Sequence, residues 1–242
     1  ALFCKKSVSL QNKSQGDSYP SVLDNHLKNK KMKDKLIILS GGMDSVTMLY
    51  HYQNEIAMAL SFNYGANHNA KELQFAALHC QRLAIPHVVI DLQFMATHFK
   101  SSLLQGADAI PEADYDAENI KSTVVPFRNG IMLSIAAGVA NSHGLSAVMI
   151  ANHGGDHAIY PDCRPGFISA MHHAVAEGTD QEVSVVAPYT ALTKTDIAKI
   201  GLRLGVDYSL TWSCYKGLDE PCGVCATCRE REQALREAGY YD

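Results

Sequence analysis

The sequence predicts an α/β protein: a parallel sheet with helices on both faces, plus a small cysteine-bearing subdomain at the C-terminal end. Three observations carry this expectation. Short apolar runs alternate with stretches of helical period, the first run ends in a Ser-Gly-Gly turn that opens a helix, and four of the seven cysteines crowd between Cys214 and Cys228. The expected organisation is an extension over residues 1–34, an α/β domain over 35–208 and a zinc-binding subdomain over 209–242.

Residues 1–34 are rich in Lys, Ser, Asn and Gln, lack a sustained apolar period and read as a mobile basic extension. From Lys35 the pattern changes. Residues 36–39 form a buried-strand run, and Val46, Met48, Leu49 and Tyr50 mark the helix after the turn. Further strands are expected over 56–62, 87–92, 147–151 and 183–187. Between them, a helix over 70–83 sets Leu73, Ala76, Ala77 and Cys80 along one face, with Pro86 at its exit. Another, over 129–143, carries Ile131, Ile135 and Val139 as a stripe and has Asn129 as its cap. A third is capped by Thr193 with Asp196 three places on, and buries Ile197, Ile200 and Leu204. Residues 105–121 are a long acidic segment with Asp108, Glu112, Asp114, Asp116 and Glu118, read as a flexible flap over the site, with a plain solvated insertion as the near-equal alternative.

Composition narrows the function. A chain of 242 residues that is 47% apolar can bury one main core. No apolar run approaches the roughly 20 residues a membrane span needs, and no secretion signal is visible, so a soluble, cytoplasmic protein is expected. With 21 Lys plus Arg against 25 Asp plus Glu, there is no general field for a phosphate polymer. Stable nucleic-acid binding is not expected; small-molecule substrates are.

The segment Ser40-Gly41-Gly42-Met43-Asp44-Ser45 lies between the first strand and its helix, where unpaired amide groups favour an anion. Gly41 and Gly42 let backbone approach phosphate oxygens, and the Ser40 and Ser45 hydroxyls add donors. Asp44 would repel phosphate unless a cation intervened, which assigns it to Mg²⁺. The loop is neither GxxxxGK[ST] nor GxGxxG. Cys214, Cys222, Cys225 and Cys228, spaced C-x7-C-x2-C-x2-C, suit one tetrahedral Zn²⁺; a sphere closed by four sulfurs leaves no position for chemistry, so the metal would be structural.

Other residues gather near predicted strand ends. His153-Gly154-Gly155-Asp156-His157 follows the fourth strand, at the edge where open α/β sheets bind ligands. In Tyr160-Pro161-Asp162-Cys163-Arg164, Arg164 could pair with a carboxylate or phosphate and Asp162 could accept from a purine-like edge; a loop salt bridge is an equal reading, and Cys163 is assigned to packing. Arg128 can face phosphates or an adenylate from a helix start, and Tyr64 and His68, after the second strand, are candidate substrate contacts.

The SGGMDS loop resembles that of the ATP pyrophosphatases, which cleave ATP between its α- and β-phosphates. With STVVPFRN, IYPDCRPGF, WSCYKG and CGVCATC, residues 35–242 resemble the 7-cyano-7-deazaguanine synthases within that superfamily. The resemblance implies an adenine nucleotide α-hydrolase-like, Rossmann-like fold, a homodimer, and ATP held by the loop together with Leu39, Val46, Thr47, Met48 and Leu49. It also implies that 7-carboxy-7-deazaguanine and ammonia become the nitrile through adenylated intermediates, with AMP and pyrophosphate released. Asp44, Arg128 and Arg164 would serve catalysis; Tyr64, His68, Asp156, Tyr160, Asp162 and Arg164 would hold the substrate. The chain departs from the family at Phe127, where the commoner motif VPGRN has Gly, and at ANHGGDHAIYPDCR, where many relatives carry a GVCETDFSGYPDCR-like stretch. Those departures leave open transfer of the activated acid to a protein amine; a tRNA-modifying ATP pyrophosphatase is a second rival.

Overall fold

A computed structural model describes residues 33–107, 109–112 and 118–241. The extension, apart from Lys33 and Asp34, lies outside the described residues, as do Asp108, Asp114 and Asp116 of the acidic segment. Five strands alternate with helices in chain order: β1 (Lys35–Ile38), α1 (Met43–His51), β2 (Ile56–Asn63), α2 (Asn69–Leu83), β3 (His87–Asp91), α3 (Phe94–His98), α4 (Arg128–Ser142), β4 (Ala147–Met149), α5 (Pro165–Glu177), β5 (Ser184–Val186), α6 (Lys194–Arg203) and α7 (Ala226–Glu237).

All four pairings are parallel, in the order β3-β2-β1-β4-β5. The pleat of β1 sends Leu36 to one face and Ile37 to the other. Leu36 meets a core containing Leu133, Ala136 and Ala140 of α4 and Ile168 and Val175 of α5. Ile37 meets Val46 and Leu49 of α1, Ala76 and Cys80 of α2, Ile197 of α6 and Leu235 of α7. Helices therefore cover both faces, as expected, and the strand order reverses between β1 and β4, the switch point where open α/β sheets gather ligands.

Three helix stripes are corrected. On α2, Ala77 is exposed and His79 is buried beside Ala76 and Cys80. On α4, Ile131, Ile135 and Val139 are only partly buried, while Met132, Leu133, Ala136, Ala137 and Ala140 lie deeper. On α6, the Thr193–Asp196 capping box is present and Ile197 is buried, but Leu204 falls at the C-cap and is 40% exposed. The composition reading also missed one long apolar stretch: Ile120–Ser142, 23 residues whose most apolar 18-residue window has a mean hydropathy of 1.3, is long and apolar enough to cross a membrane by length and composition. Half of its most apolar window is buried, and α4 packs on β1 and β4, the place of a core helix. The described part of the acidic segment is anchored: Ile110 packs against the core, and Glu112 pairs with Lys216 at 2.5 Å.

Candidate functional site

A cleft of about 220 Å³ opens at the switch point, lined from the ends of β1, β2 and β4 and from α2, α4, α6 and the cysteine segment. Ser40, Gly42, Met43, Asp44 and Ser45 border it, with Leu39 at its floor. Gly41 has φ +91°, and a Cβ there would stand 2.1 Å from the Glu72 carbonyl oxygen, so the turn lies directly on the backbone of α2. Among the described residues no side chain caps α1, so its N-terminal amides open onto the cleft. Val46, Thr47, Met48 and Leu49 do not line it: three join the core, and Thr47 donates to the Met43 carbonyl and pairs with the Tyr208 hydroxyl at 2.8 Å. They support the loop.

Beside Asp44 stands a cation that sequence reading missed. Lys194 lies 3.6 Å from Asp44 Oδ2 and 2.5 Å from Glu230. Burial works against its charge, but Asp44 and Glu230 outweigh that and raise its pKa. A lysine in the first turn of a helix opposes the dipole, and that was the available signal that it serves something else. His153 is buried against the same group: its Nδ1 accepts from the Gly155 amide, which leaves the proton on Nε2, 3.8 Å from Asp44 and 3.6 Å from Asp156. Asp44 Oδ1 is a buried oxygen with no hydrogen-bond partner among the described residues, as expected of an atom that receives a cation. His157, also read as a pocket candidate, does not line the cleft.

The opposite wall is aromatic and basic. Arg128 Nη1 donates to the Tyr64 hydroxyl at 3.3 Å, and its guanidinium lies over the Tyr64 ring. The Tyr64 hydroxyl is 3.2 Å from His68 Nε2, and burial pushes the Tyr64 pKa up to about 12 against the pull of Arg128. His68 Nδ1 faces the Tyr215 carbonyl at 3.3 Å. Burial, then Arg128, lowers the His68 pKa to about 4, so the ring is neutral at pH 7. Tyr160 also lines the cleft, its hydroxyl 3.0 Å from both Thr123 Oγ1 and Tyr215 Oη.

Two substrate assignments are not carried by the geometry. Asp162 lies outside the cleft lining: its Oδ2 accepts from the Asn129 amide at 2.8 Å, capping α4 in place of the cap expected from Asn129 itself. The Asn129 side chain instead donates to the Asp162 carbonyl and Cys163 Sγ. Arg164 is exposed, with its Nε donating to the His157 carbonyl at 2.9 Å. Burial raises the Cys163 thiol pKa, consistent with packing. Phe127 precedes α4 with φ +54°, the left-handed conformation in which Gly is free of strain. The turn is thus kept with Phe, whose ring lies over Gly130 and edge-on to Phe167 at 5.7 Å.

The four sulfurs of Cys214, Cys222, Cys225 and Cys228 lie within 4.8 Å of one another, a set compatible with one tetrahedral Zn²⁺. This cluster packs beside Trp212, which stacks on Phe75 of α2 and donates from its backbone amide to the Gly41 carbonyl. Trp212, Ser213, Tyr215 and Thr227 thereby become cleft wall, residues that sequence reading did not single out.

The sequence has relatives among known proteins. Residues 34–239 match the family model described as queuosine biosynthesis protein QueC. A 7-cyano-7-deazaguanine synthase of Porphyromonas gingivalis is 59% identical over 213 residues, 88% of this chain and 97% of that protein. Those of Desulfotalea psychrophila and Methanoregula boonei are 51% and 46% identical, covering 85% and 86% of this chain and 94% and 96% of theirs. With the match running from the start of β1 to past the end of α7, the chain belongs to the queuosine biosynthesis protein QueC family.

Proposed function

We propose that the protein is an ATP-dependent carbon–nitrogen ligase that converts 7-carboxy-7-deazaguanine and ammonia to 7-cyano-7-deazaguanine, with release of AMP and pyrophosphate. The observation that carries this is the joining, in one cleft, of an anion-binding loop and the Tyr64–His68–Arg128 wall, in a chain whose relatives bear the synthase name. A carboxylate resists ammonia until one oxygen becomes a leaving group, and adenylation supplies it. The loop amides and Lys194 would hold phosphate oxygens while Arg128 and the aromatic residues align the acid, so that positioning and charge stabilisation supply most of the rate. Asp44 would hold Mg²⁺, which neutralises phosphate charge when bound; the four cysteines would hold a structural Zn²⁺.

Loss of both carboxyl oxygens is the chemical signature. Starting from acid doubly labelled with ¹⁸O, the purified protein should release unlabelled pyrophosphate and two labelled AMP molecules per nitrile, read by mass spectrometry. Label in inorganic phosphate with ADP as coproduct would overturn the adenylate route. Label kept in an amide would remove the second step.

A further inference from the structure

Building on the synthase reading, we propose that Glu72 is the catalytic base that takes protons from the substrate nitrogen, first as ammonia adds and again as the nitrile forms.

Glu72 sits in the first turn of α2 and lines the cleft, its side chain 15% exposed. A Cβ built on Gly42 would be 4.0 Å from Glu72 Oε1, so the carboxyl borders the phosphate loop. Its other oxygen lies 3.7 Å from His68 Nε2, at the start of the aromatic wall. Glu72 thus stands at the seam between the surface that takes phosphate and the surface that takes the acid. The carbon under attack must lie at that seam, because in the adenylate it is joined to the deazapurine on one side and, through one oxygen, to the phosphate on the other.

The other cleft groups are committed. Of the acids lining the cleft among the described residues, Asp44 faces Lys194 and His153, and Asp156 faces His153. No hydrogen bond reaches the Glu72 carboxyl from any described residue. His68 is a weak substitute base: Nδ1 donates to the Tyr215 carbonyl, the Tyr64 hydroxyl is within reach of Nε2, and the ring's pKa is near 4. The charged and titratable groups facing Glu72 are His68, Arg128 and Tyr64; burial pushes its pKa up to about 8 and Arg128 only partly opposes this. A carboxyl that titrates there is neutral enough to sit beside phosphate and basic enough to accept a proton near neutrality.

The steps balance. The ammonia lone pair forms the C–N bond and the carbonyl π electrons move to oxygen. Glu72 carboxylate takes one N–H proton, and collapse re-forms the carbonyl as the C–O bond breaks toward AMP, leaving the amide. After the amide oxygen is adenylated, one proton leaves the iminium nitrogen to give the neutral imidate. Glu72 then takes the remaining N–H proton, that bond's electrons complete the C≡N bond, and the C–O electrons leave with the second AMP. Between steps the Glu72 proton passes to water.

The test compares wild type with Glu72→Gln and Glu72→Asp in three assays. Acid-dependent ATP–pyrophosphate exchange should persist in Glu72→Gln, which also establishes that it folds. Nitrile formation from ammonia should fall by roughly 10²–10⁴-fold, the usual worth of a positioned base, and partly recover in Glu72→Asp. At a fixed concentration of free NH3, the wild-type rate should rise with pH through about 8, and that limb should vanish in Glu72→Gln. Hydroxylamine, unprotonated at neutral pH, should still be converted to the hydroxamate by Glu72→Gln. Nitrile formation by Glu72→Gln within about tenfold of wild type would overturn the proposal; so would loss of exchange together with nitrile, which would assign Glu72 to adenylation or to the fold. Absence of nitrile with the wild-type protein would overturn the synthase reading itself, a result distinct from either.

Discussion

Gly41→Ala isolates the contact on which the phosphate loop rests. At φ +91° any L side chain pays a backbone cost of about 1–2 kcal/mol. The new Cβ would also meet the Glu72 carbonyl oxygen at 2.1 Å and the Ala76 amide nitrogen at 2.9 Å, both backbone atoms of α2 that no rotamer change can move aside. Forcing α2 off the loop belongs with overpacking, about 1–3 kcal/mol. The sum, about 2–5 kcal/mol, is a large part of a total near 5–15 kcal/mol. It corresponds to a melting temperature roughly 4–20 °C lower for a chain of this size. Urea and thermal melts read the stability, and acid-dependent ATP–pyrophosphate exchange reads the loop, which should fail first. Gly138→Ala is the control of opposite sign: it lies exposed in α4 with nothing within 4 Å of its Cβ, so Ala should stabilise by about 0.5–1 kcal/mol. A Gly41→Ala protein that melts with the parent and keeps exchange would refute the reasoning.

Cys225→Ser should abolish stoichiometric zinc by elemental analysis and lower the melting temperature, because metal affinity in such a site is folding energy; full zinc content in the variant would contradict the four-sulfur site. Glu72 gives stability a defined pH slope. Its proton is held to about pH 8 when folded but leaves near 4.5 when unfolded, so stability present below 4.5 is lost as pH rises through 8. His68, depressed from 6.5 to about 4, works oppositely and only below 6.5. Between pH 6.5 and 8 the Glu72 slope therefore stands alone of the two, and Glu72→Gln should gain ~2 kcal/mol on wild type across that window in denaturant titrations; parallel curves would contradict the raised pKa. Arg164→Ala should leave the KM for the acid nearly unchanged and Arg128→Ala should raise it, as steady-state kinetics will show, since only Arg128 reaches the cleft.

Much of the fold was legible because its signals are local. Apolar runs of strand length, the Thr193–Asp196 capping box and the cysteine spacing each lie within one short stretch of chain and mean the same in most contexts. The misses have physical causes. Helix α4 is apolar around much of its circumference, so period alone could not rank Ile131 below Met132 and Leu133. In Tyr160–Arg164, a tight turn at Pro161–Cys163 sends Asp162 inward to the amides of α4 and Arg164 outward, and residue types in sequence do not encode that choice. Glu72 was invisible for the opposite reason: an acid in the first turn of a helix is what the dipole favours, so its position drew no notice. Only the approach of Gly42 and Arg128 from elsewhere gives it chemistry, beside His68 at the N-cap of its own helix.

The strand order also sets a timetable for synthesis. β1, at the centre of the sheet, emerges first and finds β2 and then β3 within a short length of chain, but its other edge waits for β4, which begins at Ala147, while β1 ends at Ile38. At ~5–20 residues per second the ribosome leaves that edge unpaired for roughly 5–20 s, with half a sheet already formed beside it. During that interval Leu36 and Ile37 border an open, hydrogen-bonding template of the kind that recruits other chains. The nascent chain is then most exposed to misassembly, and a chaperone that shields apolar segments has its greatest effect there. The four cysteines follow the fifth strand in the chain, so any metal they take would close the cleft wall only after the sheet beneath it is complete.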